Sequence, residues 1–458
     1  MAQIGVAKIG NKDLVWSVLA TFFKMGAGVL LFPVILRMLP AETVGIWTVF
    51  TVVTSLSLLL DFGFNSSFAR NIAYIFTGVE SLQKNGFSAA SDAVNYDLLK
   101  STIRAMRWFY SRVALALLVL LLTLGTWYIH TLLQTYKGDT TEIYVAWFLL
   151  CIINTYNLYT LYYESLMRAR GFVKRLNQII LVGNIAYIAV AAVLVLTGFG
   201  LVSIVSAQIA SVVIIRILSK KYFFDSELVD SLSAANDNRF KEVLTAIYPN
   251  AVKVGLTGLG GFLINKSATF IGALYLPLED IGSYGITMQV VMVFVAMGNL
   301  YYTVYLPKVF QWRVEHDFSA IRSVYFKSVG LLVLVYIVCG LGVALCGNWL
   351  LGLIGSQTYL FSGTLLFVTL LVAFLEQNHA MAGAFLLSKN EVPFFRASLL
   401  SAAATLILLF LFLGYWKIGL WGLILAPGIA QLCYQNWKWP MEMIKELFII
   451  NRVIDEVE

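Results

Sequence analysis

Apolar runs of about 20 residues, each long enough to cross roughly 30 Å of bilayer hydrocarbon as a helix, recur twelve times along this 458-residue chain. They fall at about 14–38, 43–66, 108–130, 142–165, 176–198, 200–219, 247–276, 281–306, 328–350, 358–388, 394–414 and 417–437. Backbone groups in hydrocarbon must be satisfied within the chain, so such a sequence folds as a bundle of transmembrane helices. Composition agrees: 60% of residues are apolar and 12% charged, and the mean hydropathy is +0.81, outside the range of soluble domains. The expected fold class is an all-α polytopic membrane protein. The first run follows a polar, mixed start and lacks a small-residue cleavage site, so it reads as a retained span.

Charge fixes the expected orientation. With the amino terminus placed in the cytoplasm, both tails and the even-numbered loops carry 26 of the 32 Lys and Arg residues. With charges near span ends counted to the adjoining side, the opposite loops carry three (Arg37, Lys137, Lys417), and three (Lys24, Lys253, Lys266) lie within spans. By the positive-inside rule both termini are cytoplasmic. The external loops are then short and the long loops, about 67–107, 220–246 and 307–327, are cytoplasmic, which leaves no room for an external catalytic domain. The lightly charged stretch 80–107 is expected along the cytoplasmic surface, with Lys100, Arg104, Arg107 and Arg112 near lipid head groups, or as a flexible loop. The basic residues form no single face, so the net charge of +7 reflects orientation and not nucleic-acid binding.

The chain repeats itself. Leu39-Pro40-Ala41-Glu42-Thr43-Val44-Gly45 returns as Leu276-Pro277-Leu278-Glu279-Asp280-Ile281-Gly282, between the first two spans of each half. Gly200-Leu201 and Ala207 return in the same spacing as Gly419-Leu420 and Ala426, at and after the external turn before the last helix of each half. Two six-helix halves in the same orientation follow, as in transporters built from parallel repeats, with the first and seventh helices facing across a central cavity. The expected domains are a lobe at 1–219, a cytoplasmic linker at 220–246, a second lobe at 247–438 and a cytoplasmic tail at 439–458.

Ionisable groups inside spans are costly and mark pathways. Lys24 and Lys266 lie near mid-membrane on the first and seventh helices, and together they would form a site for a phosphate or carboxylate; alternatively each pairs with Asp61, Glu164 or Glu376. Lys253 is nearer the cytoplasmic end, where it could snorkel. Breakers surround these lysines: Gly26, Gly28 and Pro33 in the first helix, and Gly255, Gly258, Gly260 and Gly261 in the seventh, suited either to hinge motion or to close packing. Glu376 and His379 share a face of the tenth helix, as a protonatable coupling pair or as a tie between helices. Asp61 and Arg70 form either an inner gate or a helix-terminal ion pair. On the fourth helix Asn154, Asn157 and Glu164, with Tyr159 and Tyr163, supply amides and rings of the kind that hold sugars, unless the tyrosines are interfacial anchors.

No catalytic constellation is present. The three histidines (His130, His316, His379) have no metal-ligand spacing, there is no Walker-type phosphate loop, and the four cysteines lie unpaired in apolar stretches. No cofactor is expected, and a proton or sodium gradient is the expected energy source.

Several segments resemble a known family. Leu36-Arg37-Met38-Leu39-Pro40, Val44-Gly45-Ile46-Trp47, Asp61-Phe62-Gly63-Phe64 with Ser67 and Arg70, and Leu386-Leu387-Ser388-Lys389-Asn390-Glu391-Val392-Pro393 are similar to segments of the bacterial polysaccharide flippases of O-antigen and capsular type. These belong to the multidrug/oligosaccharidyl-lipid/polysaccharide exporter superfamily, and the resemblance spans roughly residues 8 to 440. It implies a MATE-like fold in the bacterial inner membrane and a lipid-linked oligosaccharide as partner, carried on undecaprenyl pyrophosphate, with other polysaccharide assembly proteins nearby. On that reading Lys24, Lys266 and Lys253 attract the pyrophosphate or acidic sugars, and Asn154, Asn157, Tyr159 and Tyr163 touch the glycan. Two other readings compete. A cation-coupled multidrug extruder would need an acidic cavity, against which three intramembrane lysines count, and a membrane glycan polymerase or ligase would need larger external loops.

Overall fold

The computed structural model describes residues 31–76, 78–82, 94–315, 317–389 and 394–455. Of the first expected span only its end, α1 (31–38), falls within them; Lys24, Gly26 and Gly28 lie outside. Each of the other eleven expected spans is helical. In the first half these are α2 (Ala41–Leu59) with α3 (Phe64–Phe76), α4 (Tyr96–Leu133), α5 (Thr140–Tyr159) with α6 (Tyr162–Ala169), α7 (Val173–Leu196) and α8 (Gly200–Phe223). After α9 (Ser226–Ala234), the second half comprises α10 (Phe240–Tyr275), α11 (Leu278–Gly298) with α12 (Leu300–Val314), α13 (Phe318–Leu353), α14 (Gly363–Leu386), α15 (Phe395–Tyr415) and α16 (Leu420–Leu432) with α17 (Gln435–Asp455). Among the described residues nine helices are long and apolar enough to cross a membrane. The chain is an all-α, multi-pass membrane protein.

The internal repeat is written into the backbone. Pro40 and Pro277 sit before α2 and α11 in nearly the same conformation, φ −57°, ψ 153° and φ −55°, ψ 144°. Each pre-sets the turn and leaves the helix to start at the next residue. Gly200 and Gly419, at φ +49° and +65°, turn the chain into α8 and α16 through a region that side chains with a Cβ avoid. The second span of each half breaks at the corresponding place, at Leu60–Gly63 in the first and around Asn299 in the second. A five-residue π turn interrupts the third span of each half, at Leu121–Gly125 and Val343–Gly347.

Two compact units are present. In Met38–Lys266, α7 packs along α8, α5 bridges α2, α4 and α8, and α3 pairs with α6. Trp147, Tyr110, Phe68 and Phe223 are its largest fully buried side chains. Short turns are tied at one end, where Thr43 bonds Tyr136, Glu42 accepts from the Lys137 amide and Glu142 accepts from the Leu201 amide. The other unit comprises the described residues of Met1–Arg37 with Ser267–Glu458; in it α13 packs on α11, α12 and α14, and α14 on α17. α17 runs through residues expected to form the tail, and its Trp439, Met443 and Leu447 are buried in that unit's core.

The stretch expected along the membrane surface differs from expectation where it is described. From Tyr96 onward it is the first part of the long helix α4, and its charges bind the segment after α9. Lys100 donates to the Ala235 carbonyl at 2.7 Å, Asp97 accepts from the Asn236 amide at 2.7 Å, and Arg104 pairs with Asp237 at 2.9 Å. Residues 220–246 are therefore structured, with α9 capped by Asp225, which also meets Arg170 at 2.7 Å. The Leu228 amide, and after it Arg170, hold the Asp225 carboxyl below the usual carboxylate range.

Candidate functional site

Each unit carries a polar core, built in Met38–Lys266 from the second, third, fourth and sixth spans of its half and in the other unit from the second, fourth and sixth. In Met38–Lys266 it begins where α2 stops. Phe62 and Gly63, at φ +48° and +72°, turn the chain, and both carboxylate oxygens of Asp61 accept from the Asn65 amide at 3.1 Å, capping α3. The Tyr110 hydroxyl on α4 donates to Asp61 at 2.5 Å. Asn65 in turn receives the hydroxyl of Ser165 on α6, at its carbonyl (3.0 Å) and at its side chain.

The fourth span breaks at Thr160–Leu161, and one side chain from the sixth span joins its pieces. Arg216 on α8 donates Nη1 to Glu164 of α6 at 3.0 Å and Nη2 to Asn157 of α5 at 2.6 Å. The guanidinium is 4% exposed, and its Nε has no hydrogen-bond partner among the described residues. The charge count places Arg216 with the cytoplasmic loops, but it is an interior residue, and Glu164 pairs with it. The signal for this lies in Ser211-Val212-Val213-Ile214-Ile215-Arg216-Ile217-Leu218, a lone charge inside an apolar run.

Asp61 and Arg70 do not pair among the described ion pairs: Asp61 is held by Tyr110 and Asn65, and Arg70 is exposed. Asn154 is buried, its Nδ2 3.4 Å from Thr54 Oγ1. Tyr163 is buried against Tyr162, whereas Tyr159 is partly exposed. Lys266 lies half-buried on α10, about 14 Å from the helix end at Tyr275. The side chain of Lys253 lies outside the described residues.

Gly255 on α10 resolves one of the two expectations for the glycines. A Cβ there would lie 2.4–2.7 Å from Phe62, including its backbone, so this glycine serves close packing against the break in the second span. Gly258 has ordinary room and Gly261 open space. Gly255→Leu is expected to lower the thermal midpoint of the purified protein by several degrees, whereas Gly261→Ala should leave it unchanged.

In the other unit the corresponding core is made of amides and an imidazole. Gln377 on α14 donates to Asn299 at the break in the second span, at 2.9 Å, and His379 Nδ1 meets Asn436 Oδ1 of α17 at 2.8 Å. Gln435, which the repeat of Gly200 as Gly419 aligns with Arg216, is also buried, with its Nε2 unpartnered among the described residues. His379 thus ties α14 to α17 through Asn436. Glu376 lies partly buried on α14, three residues before His379. Arg313 of α12 joins Glu446 of α17, Ser388 (3.0 Å) and the Phe385 carbonyl, tying α12 and α17 to the end of the fourth span. Among the described residues no group of His, Cys, Asp and Glu could hold a metal ion.

The fold is that of a polytopic membrane transporter. No protein-family profile matches the chain, and no curated protein matches it in sequence. Solved structures do. The chain is similar to the lipid II flippase MurJ in an inward closed conformation, at 15% identity over 96% of this chain and 93% of that one, with a TM-score of 0.60. It is also similar to an inward-facing multidrug resistance MATE family transporter of the MOP superfamily, at 12% identity over 94% and 96% of the two chains, with a TM-score of 0.62. A third is a Vibrio cholerae MATE transporter, at 15% identity over 95% and 97%, with a TM-score of 0.56. At these identities the likeness defines the fold, the MATE-like one expected from the sequence.

Proposed function

We propose that the protein is a flippase that carries undecaprenyl-pyrophosphate-linked oligosaccharide repeat units from the cytoplasmic to the periplasmic leaflet of a bacterial inner membrane. It does so by alternating access, driven by a proton or sodium gradient, with both termini cytoplasmic. The observation that carries this reading is Lys266, a half-buried lysine on α10 about 14 Å from the helix end at Tyr275. A fixed cation at that depth suits an anionic head group in transit and repels an organic cation. With Lys24, and with Lys253 nearer the entrance, it would receive the pyrophosphate or acidic sugars. Asn154, Asn157, Tyr159 and Tyr163 would face the glycan, in which case Asn157 would exchange its bond to Arg216 for one to sugar. A solved protein of this fold is named a lipid II flippase, which supports a lipid cargo.

The fold shared with MATE transporters favours a second reading, a cation-coupled multidrug extruder. Deleting the gene in its native host separates the two. The flippase reading expects loss of surface glycan with unchanged susceptibility to organic cations; the extruder reading expects the reverse. A polymerase or ligase would instead leave lipid-linked repeat units on the outer leaflet.

Coupling is assigned to the ionisable groups within the spans, Glu376 first, with His379, Asp61 and Glu164 in the polar cores and Arg70 at the exposed end. Glu376→Gln removes a titratable charge from the fourth span of its half while keeping its shape. Transport in proteoliposomes is then expected to lose its dependence on pH or sodium. An unchanged profile would remove Glu376 from coupling.

A further inference from the structure

Cations that the sequence spreads over two loops meet at one end of the hairpin formed by α7 and α8. These helices are joined by a short turn and pack along each other, so Lys174 and Arg175 in the first turn of α7 come beside Lys220 and Lys221 in the last turn of α8. All four side chains are exposed, and none has a hydrogen bond or ion pair among the described residues.

One of the four is held in place. The Arg175 guanidinium lies over the ring of Tyr222 at 4.7 Å and over that of Phe172 at 5.6 Å, and the same Phe172 ring carries the Arg170 guanidinium at 5.0 Å. Arg170 is already spent, its Nη1 donating to the Phe223 carbonyl at 2.8 Å and its Nη2 pairing with Asp225 at 2.7 Å. That pairing also removes the Asp225 carboxylate from competition for the four cations. Arg175 therefore keeps its whole fork of N–H donors, ordered by two rings, in the form that takes a phosphate through two parallel hydrogen bonds. Keeping this end of the chain on one side of a membrane asks only for positive charge and leaves the stacking of Arg175 unexplained.

The surface next to the cations says which kind of phosphate fits. Arg175, Gln178, Val182 and Ile185 follow at helical spacing along an exposed face of α7, and Ile217 is exposed on α8 just before Lys220. Charge thus gives way to bare aliphatic side chains within about 10 Å. A soluble anion or an acidic protein would leave that aliphatic face uncovered. A phospholipid covers both parts, with its phosphate on the cations and its acyl chains along the stripe. We propose that this end of α7 and α8 binds the phosphodiester head group of an anionic glycerophospholipid, with Arg175 at the centre and Lys174, Lys220 and Lys221 around it. On the proposed orientation the lipid belongs to the cytoplasmic leaflet. The site goes beyond the transport reading and holds whichever cargo is carried.

The test is native mass spectrometry of the purified, delipidated protein titrated with phosphatidylglycerol, and separately with phosphatidylethanolamine and with soluble glycerol phosphate. Saturable retention of one phosphatidylglycerol is expected, at concentrations where neither of the others is held. Its apparent affinity should fall at least tenfold in Arg175→Ala/Lys220→Ala/Lys221→Ala and severalfold in Arg175→Lys, which keeps the charge but loses the planar fork. Lys417→Ala, which removes an exposed cation elsewhere, should leave it unchanged. Equal retention of the anionic and zwitterionic lipids overturns the proposal, as does undiminished binding in a triple variant that melts like the wild type. Retention of soluble glycerol phosphate at the same concentration would overturn the assignment to a lipid.

Discussion

Arg216→Met is expected to destabilise the unit Met38–Lys266 by about 3–5 kcal/mol, the usual cost of removing one partner of a buried ion pair. The guanidinium is almost fully enclosed and holds Asn157 at 2.6 Å and Glu164 at 3.0 Å, on either side of the break in the fourth span. Methionine fills much of the volume but strands a partly buried carboxylate and an amide. The thermal midpoint of the purified protein should fall sharply, with transport lost in parallel. Adding Glu164→Gln should restore most of the midpoint, because the cost lies in the unpaired charge more than in the lost pair. A single variant that melts like the wild type would show that water already compensates Glu164.

The second large effect concerns the cationic path. Lys266→Ala should weaken capture of a pyrophosphate-bearing lipid by about ten- to a hundredfold, the range set by about 1.5–3 kcal/mol for a hydrogen bond to a charged group. Lys24→Ala added to it should abolish surface glycan while the protein remains in the membrane. Unchanged glycan in a double variant present at normal levels would reject the cationic site.

The sequence disclosed those parts of the fold that depend on hydrocarbon and on turns. Apolar run length is a property of the chain itself, and each run within the described residues is helical. Leu39-Pro40 and Leu276-Pro277 announce the repeat because proline acts locally, and the backbone angles at Pro40 and Pro277 nearly coincide. Asp61, Asn157 and Glu164 stand out as polar groups in apolar surroundings, and all three lie in one polar core. What stays hidden in sequence is the pairing. Nothing near Asp61 indicates that its partner is Tyr110, 49 residues away, in place of Arg70. Arg216 lies close enough to a span end to pass for a head-group charge, and only packing of α8 against α5 and α6 reveals its burial.

The most direct measurement is translocation of a fluorescent lipid-linked oligosaccharide in proteoliposomes, with and without an imposed ion gradient, scored by access of a membrane-impermeant lectin. A lipid-linked-glycan flippase predicts lectin access that rises with the protein, responds to the gradient and falls in the Lys24→Ala/Lys266→Ala variant. No movement of the glycolipid, alongside gradient-driven efflux of organic cations from the same vesicles, would contradict it and make the intramembrane lysines structural.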